Sequence, residues 1–298
     1  MAVNYTFATI SLILCFIFSL ELSSAALVQQ QPLVLKYHNG PLLKGRFSVN
    51  LIWYGKFTPT QRSIIVDFIQ SLTSSRASQP SVSSWWKITE GYKGGASTLL
   101  VGKQILHENY PFGKNLKNSH LIGLTSKPNN GLNSIDIILT AQDVAVEGLC
   151  MRCGSHGSTG RVGPQKAYIW VGNAATQCPG QCAWPFYQPM YGPQTPPLVA
   201  PNGDIGVDGM IINLATLLAG TVTNPFSNGY FQGSSTAPLE AVSACTGIFG
   251  TGAYPGYPGS VLVDKVSGAS YNANGVNGRK YLLPAMWDPK KSACATLV

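Results

Sequence analysis

The chain has 298 residues, a formal net charge of +8, and only 11% charged side chains against 45% hydrophobic ones. That composition excludes a disordered polyelectrolyte, because aromatic and β-branched residues are plentiful enough to fill a core. The Lys and Arg residues are scattered along the chain and form no basic stripe, which argues against nucleic acid as a partner.

The apolar run Ile10–Leu20 is followed by Ser23, Ser24, Ala25 and Ala26. It is shorter than the roughly 20 residues that a bilayer span needs. A short apolar run with a small-residue exit is the layout of a secretory signal, so residues 1–25 are expected to be a leader and 26–298 a single domain. No other stretch reads as a membrane span. Removing the leader takes away Cys15 and Glu21 and leaves about 270 residues, enough for a full core. "NYT" at Asn4 falls inside the leader. The remaining chain has no N-x-S/T acceptor for N-glycosylation.

In chain order, "GRFSVNLIWYG" alternates as a strand, with Phe47, Val49, Leu51 and Trp53 on one side. "TPTQ" then predicts a helix start, with Thr58 as cap, Pro59 in the first turn and Gln61 completing a capping box. Ile64, Ile65, Phe68, Ile69 and Leu72 form its apolar face. A second helix is expected from Ser81 and carries Trp85 and Trp86. Further strands are expected at Thr98–Ile105, Ile135–Ala141, Ala167–Val171 and Val261–Asp264. "SIDIILT" is apolar enough for a central strand. Residues 178–206 are dense in Pro and Gly and read as a long ordered loop. "DGMIINLATLLAG" reads as a buried helix capped by Asp208 and ended by Gly220. The pattern predicts an α/β or α+β fold, with a mixed sheet, packed helices and long disulfide-fastened loops.

Six cysteines remain after the leader: Cys150, Cys153, Cys178, Cys182, Cys245 and Cys294. An even count in an exported chain points to disulfides. In a cytosolic chain the same spacing would suggest zinc, and free thiols at Cys150 and Cys153 beside His156 would make a metal or redox site. Many connectivities are possible. We read the two close pairs as tied to each other, leaving Cys245 with Cys294.

His38, His107, His120 and His156 show no metal-binding spacing, and no serine-nucleophile elbow is present. Of the acids, Asp136, Asp143, Glu147, Asp204 and Asp208 are the candidates for a glycosidase pair. Trp85, Trp86, Trp170, Trp184 and Trp287 suit either a sugar-stacking platform or the core, and core is the default for large aromatics. No catalytic residue, metal ligand or cofactor is assigned. The candidate binding surface is Trp184, Phe186, Tyr187 and His156.

"HNGPLLKGRFSVNLIWYGKFTPTQRSIIVDFIQSL", "ATQCPGQCAWPF", "YGPQTPPLVAPNGDIGVDGMIINLATLLAGTVTNPFSNGYFQG", "APLEAVSACTGIFG" and "YLLPAMWDP" closely resemble the EXORDIUM or phosphate-induced protein family of plants. The resemblance runs from about His38 to the end. It implies a secreted protein of the apoplast and cell wall, linked to growth by cell expansion and to hormone and nutrient responses. Cell-wall polysaccharide or an apoplastic receptor would be its partner. It carries over no reaction, cofactor or catalytic residue. One departure is the first cysteine pair, C-x2-C here where the family usually has C-x3-C, which bears on the pairing. "TLLAGTVTNPFSNGY" also resembles the helix and loop of bacterial secreted metallopeptidase-like proteins. Thr216, Leu217 and Gly220 then stand at the first ligand, general-base and second ligand positions, and none of the three can serve. The resemblance implies a peptidase scaffold without its metal. The expectation is a binding or signalling protein. The alternative is a wall polysaccharide or peptide hydrolase using an unrecognised carboxylate pair, with Asp143, Glu147 and Asp204 as the residues to test.

Overall fold

The computed structural model describes residues 32–93, 97–125, 133–159, 165–193 and 195–298. The expected leader, with Cys15 and Glu21, lies outside these residues. The elements below belong to the compact unit Val34–Val298.

The main sheet is built from β1 (Gly45–Tyr54), β2 (Ser97–His107), β3 (Ser134–Thr140), β4 (Gly154–Thr159) and β5 (Lys166–Gly172). Their order is β2-β1-β3-β5-β4. β1, β2, β3 and β5 run parallel, and β4 closes one edge antiparallel to β5. The fold is therefore α/β with a mixed sheet. β3 is buried at every position, as a central strand covered on both faces must be. The alternation expected of β1 holds only at its start: Leu51, Ile52, Trp53 and Tyr54 are all buried, because both faces are covered there. Asp136 sits inside this sheet. Its Oδ1 is 2.8 Å from Lys166 Nζ, and it also accepts from Asn50 Nδ2 at 2.9 Å.

Helix α1 (Pro59–Ser71) begins at the expected capping box: Thr58 Oγ1 accepts from Gln61 N, and Gln61 Oε1 accepts from Thr58 N. Helix α2 (Val82–Trp86) is capped by Ser81. Its two tryptophans are core residues, with indole N–H groups donating to Pro284 O and Ser97 O. The strand expected at Val261–Asp264 shrinks to Leu262–Val263, paired with Ser270–Tyr271.

Helix α3 (Ile205–Thr223) departs from expectation at both ends. Its cap is Asp204, whose Oδ1 accepts from Val207 N at 3.0 Å. Asp208 lies one turn too late to cap. It is buried and accepts from Asn202 N and Nδ2 at 2.8 and 2.7 Å. Gly220 does not end the helix, which continues to Thr223 before Asn224 caps it. At 19 residues α3 is long and apolar enough to cross a membrane by length and composition, which the sequence reading overlooked. It is buried over most of its surface and packs against β4, β5 and α1.

Candidate binding cleft

The disulfides fix the loops that carry the site. Cys150 pairs with Cys178, Cys153 with Cys182, and Cys245 with Cys294. The first two join a one-turn helix, Leu149–Arg152, to another, Pro179–Cys182, so the close pairs are tied to each other. Cys153, which ends the first of these turns, takes φ +61°, a left-handed conformation that L-residues seldom adopt. With these sulfurs paired, Cys150 and Cys153 offer no free thiolate beside His156. Among the described residues, no three His, Cys, Asp or Glu side chains are grouped to hold a metal ion.

Downstream of the Cys182 staple, Trp184 forms one wall of an open cleft of about 510 Å³. Tyr191, Tyr254, Pro189, Pro193 and Pro255 form the remaining walls, and Thr246–Ile248 the floor. The Cys245–Cys294 staple anchors that floor one residue before it begins. The far wall is held as a tight turn, in which Tyr254 and Tyr257 exchange both backbone hydrogen bonds. Thr195 Oγ1 ties the proline-rich strap across to Gly256 O at 2.8 Å. Below the cleft lies a small core of Phe186, Ala200, Ile212, Phe249 and Leu282, and Trp184 packs on Phe249 with ring centroids 5.7 Å apart.

The polar tips of the cleft aromatics are open. Four of the six tryptophans, Trp53, Trp85, Trp86 and Trp170, place their indole N–H on an acceptor. Trp184 Nε1, Tyr191 Oη and Tyr254 Oη have no hydrogen-bond partner among the described residues. Tyr191 is 82% exposed and Tyr254 60%. Flat apolar rings with free polar tips are a binding surface's components, since stacking supplies area and the tips fix orientation.

The structure disperses the residues picked from sequence. Trp184 lines the cleft. Phe186 does not, because at 3% exposure it belongs to the core beneath. Tyr187 is exposed beside the cleft without lining it. His156 is on β4, where its Nε2 meets Glu240 Oε2 at 2.8 Å. Tyr254 and the Thr246–Ile248 floor were missed. "YPGYPG" was their available signal, an aromatic pair in a turn-forming frame. Of the candidate carboxylates, Asp204 and Asp208 lie close enough at the start of α3 for the charge of Asp204 to raise the carboxyl of Asp208, while Asp136, Asp143 and Glu147 are each engaged elsewhere. Asp143 accepts from Lys114 Nζ at 2.6 Å and Tyr110 Oη at 2.9 Å, and the lysine holds its carboxyl below the usual range. Glu147 accepts from Asn118 Nδ2 at 3.3 Å, and Asp204 caps α3. Thr216 Oγ1 bonds back to Ile212 O, and Leu217 packs toward Gly154.

The fold and cleft thus define a disulfide-stapled α/β protein with an open cleft lined by aromatic side chains. The chain belongs to the family described as the phosphate-induced protein 1 conserved region, which matches residues 35–297. It is 68% identical to Protein EXORDIUM-like 2 of Arabidopsis thaliana over the full length of both chains. It is 60% identical to Protein PHOSPHATE-INDUCED 1 of Nicotiana tabacum, covering 92% of this chain and 91% of that one. It is 56% identical to Protein EXORDIUM of Arabidopsis thaliana, covering 94% and 95%. No solved structure matches it.

Proposed function

We propose that this protein is exported to the apoplast and acts there by binding, not catalysis, in growth by cell expansion and in hormone and nutrient response. Family membership and the six paired cysteines support export, since disulfides persist in oxidising compartments. The observation that carries the binding role is the cleft at Trp184, whose polar aromatic tips have no internal partner. Its partner is a component of the wall or an apoplastic receptor.

The test is retention of the secreted protein on isolated wall material and on immobilised apoplastic proteins. The wild type is retained, and a Trp184→Ala/Tyr254→Ala variant of unchanged melting temperature is released. Equal retention of the two would remove the cleft from the function. Turnover of wall polysaccharide or peptide by the purified wild type would replace the binding role with a catalytic one.

A further inference from the structure

Away from the cleft, two cavities of about 460 and 500 Å³ flank one short segment, Gly278–Lys280. Gly278 and Arg279 line both. Arg279 Nη2 donates to Ser63 Oγ at 2.8 Å, and Nη1 donates to Asn202 Oδ1 at 3.4 Å. Among the described residues no carboxylate lies within ion-pair distance of its guanidinium. Of the acids nearby, Asp67 lines the first cavity, Asp264 lines the second, and Asp208 is buried beneath Asn202. Asp208 is bound by Asn202, and Asp67 Oδ2 accepts from Asn277 Nδ2 at 2.6 Å. Asp67 Oδ1 is taken up by Tyr281 Oη and Ser71 Oγ. Lys280, the other cation here, is already paired with Asp264.

Arg279 therefore has spare donors in a rigid fork that fits a carboxylate with two parallel bonds. Around it, the exposed Gln70 amide has no partner among the described residues, and Asn277 adds its Oδ1 and its second amide N–H, while Ser63, whose O–H is donated to Thr60 O, adds an acceptor alone. Hydroxyl groups need both kinds of partner, whereas phosphate needs donors alone. We infer that these cavities bind an acidic saccharide, its carboxylate on Arg279, a hydroxyl-bearing ring against Gln70 and Asn277, and the next unit in the second cavity. The net charge of +8 favours the approach of such a polyanion. The site stands apart from the aromatic cleft and does not depend on it.

The experiment is titration calorimetry on the full, disulfide-intact protein with a galacturonate trimer, a neutral glucan trimer and inorganic phosphate. The acidic trimer binds, the neutral one binds at least tenfold more weakly, and added salt weakens the acidic complex. Arg279→Gln lowers affinity at least tenfold. Gln70→Ala, an exposed change that leaves the fold intact, lowers it several-fold, while Trp184→Ala has no effect. Equal binding of the neutral trimer, displacement by equimolar phosphate, or unchanged affinity in Gln70→Ala would overturn the assignment. Loss in Trp184→Ala alone would move the saccharide to the cleft.

Discussion

His156 Nε2 and Glu240 Oε2 meet at 2.8 Å across the face of α3, in space that Gly220 leaves empty. The Nε2–H donates to the carboxylate, and Asn224 Nδ2 donates to the other oxygen at 2.6 Å. Gly220 is thus the seat of a buried polar junction between β4, the end of α3 and the segment leading to the cleft floor. A methyl group there would lie 2.6 Å from Glu240 Oε2 and 3.1 Å from His156 Nε2. Gly220→Ala should therefore destabilise the protein by about 1–3 kcal/mol, although alanine is the better helix former. Chemical denaturation checks this, and a stabilised variant would show that the junction yields freely.

Local chemistry made the helix starts at Thr58 and Ser81 readable, because a cap and its partner lie three residues apart. The central strand Ser134–Thr140 was readable for a similar reason, since burial on both faces leaves an unbroken apolar run. At α3 local chemistry was ambiguous. Asp204 and Asp208 both precede the apolar run, and the loop decides between them by handing Asn202 to Asp208. Of the sites, Trp184 was legible as a candidate but its partners across the cleft were not. Trp184 and Tyr254 share a cleft only because the staples and the Thr195 tie bring two loops together. His156 and Glu240 are 84 residues apart, and Ser63 and Arg279 are 216 apart. Tertiary closure makes such pairs, and no periodicity encodes them.

Lys166 and Asp136 form an ion pair at 1% and 0% side-chain exposure. Breaking it from one side costs more than the pair contributes, because a charge then stays in the interior. Lys166→Met should cost about 3–5 kcal/mol. Lys166→Met with Asp136→Leu should recover much of that loss. Urea denaturation of the two variants tests the point, and equal stability of the single and double changes would contradict it.

The Cys245–Cys294 disulfide closes a 49-residue segment that includes the cleft floor and Tyr254. Long closed loops gain most from a cross-link, so Cys245→Ser/Cys294→Ser should lose about 2–5 kcal/mol. Alkylation of the unreduced wild type should label none of these six cysteines, and all six after reduction. The variant should also lose cleft binding before it unfolds globally. Retained binding with a lowered melting temperature would mean that the floor is held by packing alone.

Asp208 makes stability depend on pH in an unusual direction. Burial, helped by the charge of Asp204, raises its carboxyl from 3.8 to about 6, while the bonds from Asn202 only partly oppose this. A raised folded-state value means that the folded chain holds the proton more tightly than the unfolded one. The stabilisation is therefore complete below about pH 3.8 and is lost as pH rises through about 6. Its full size is about 3 kcal/mol. Other acids act oppositely: Asp143, held low by Lys114, contributes stability that falls away on acidification. Total stability mixes these trends, so the informative quantity is the difference between wild type and Asp208→Asn. Relative to that variant, the wild type should lose up to about 3 kcal/mol between pH 4 and pH 6 and level off above it. Denaturation at a series of pH values measures this difference. A flat difference would show that Asn202 keeps Asp208 ionised throughout this range.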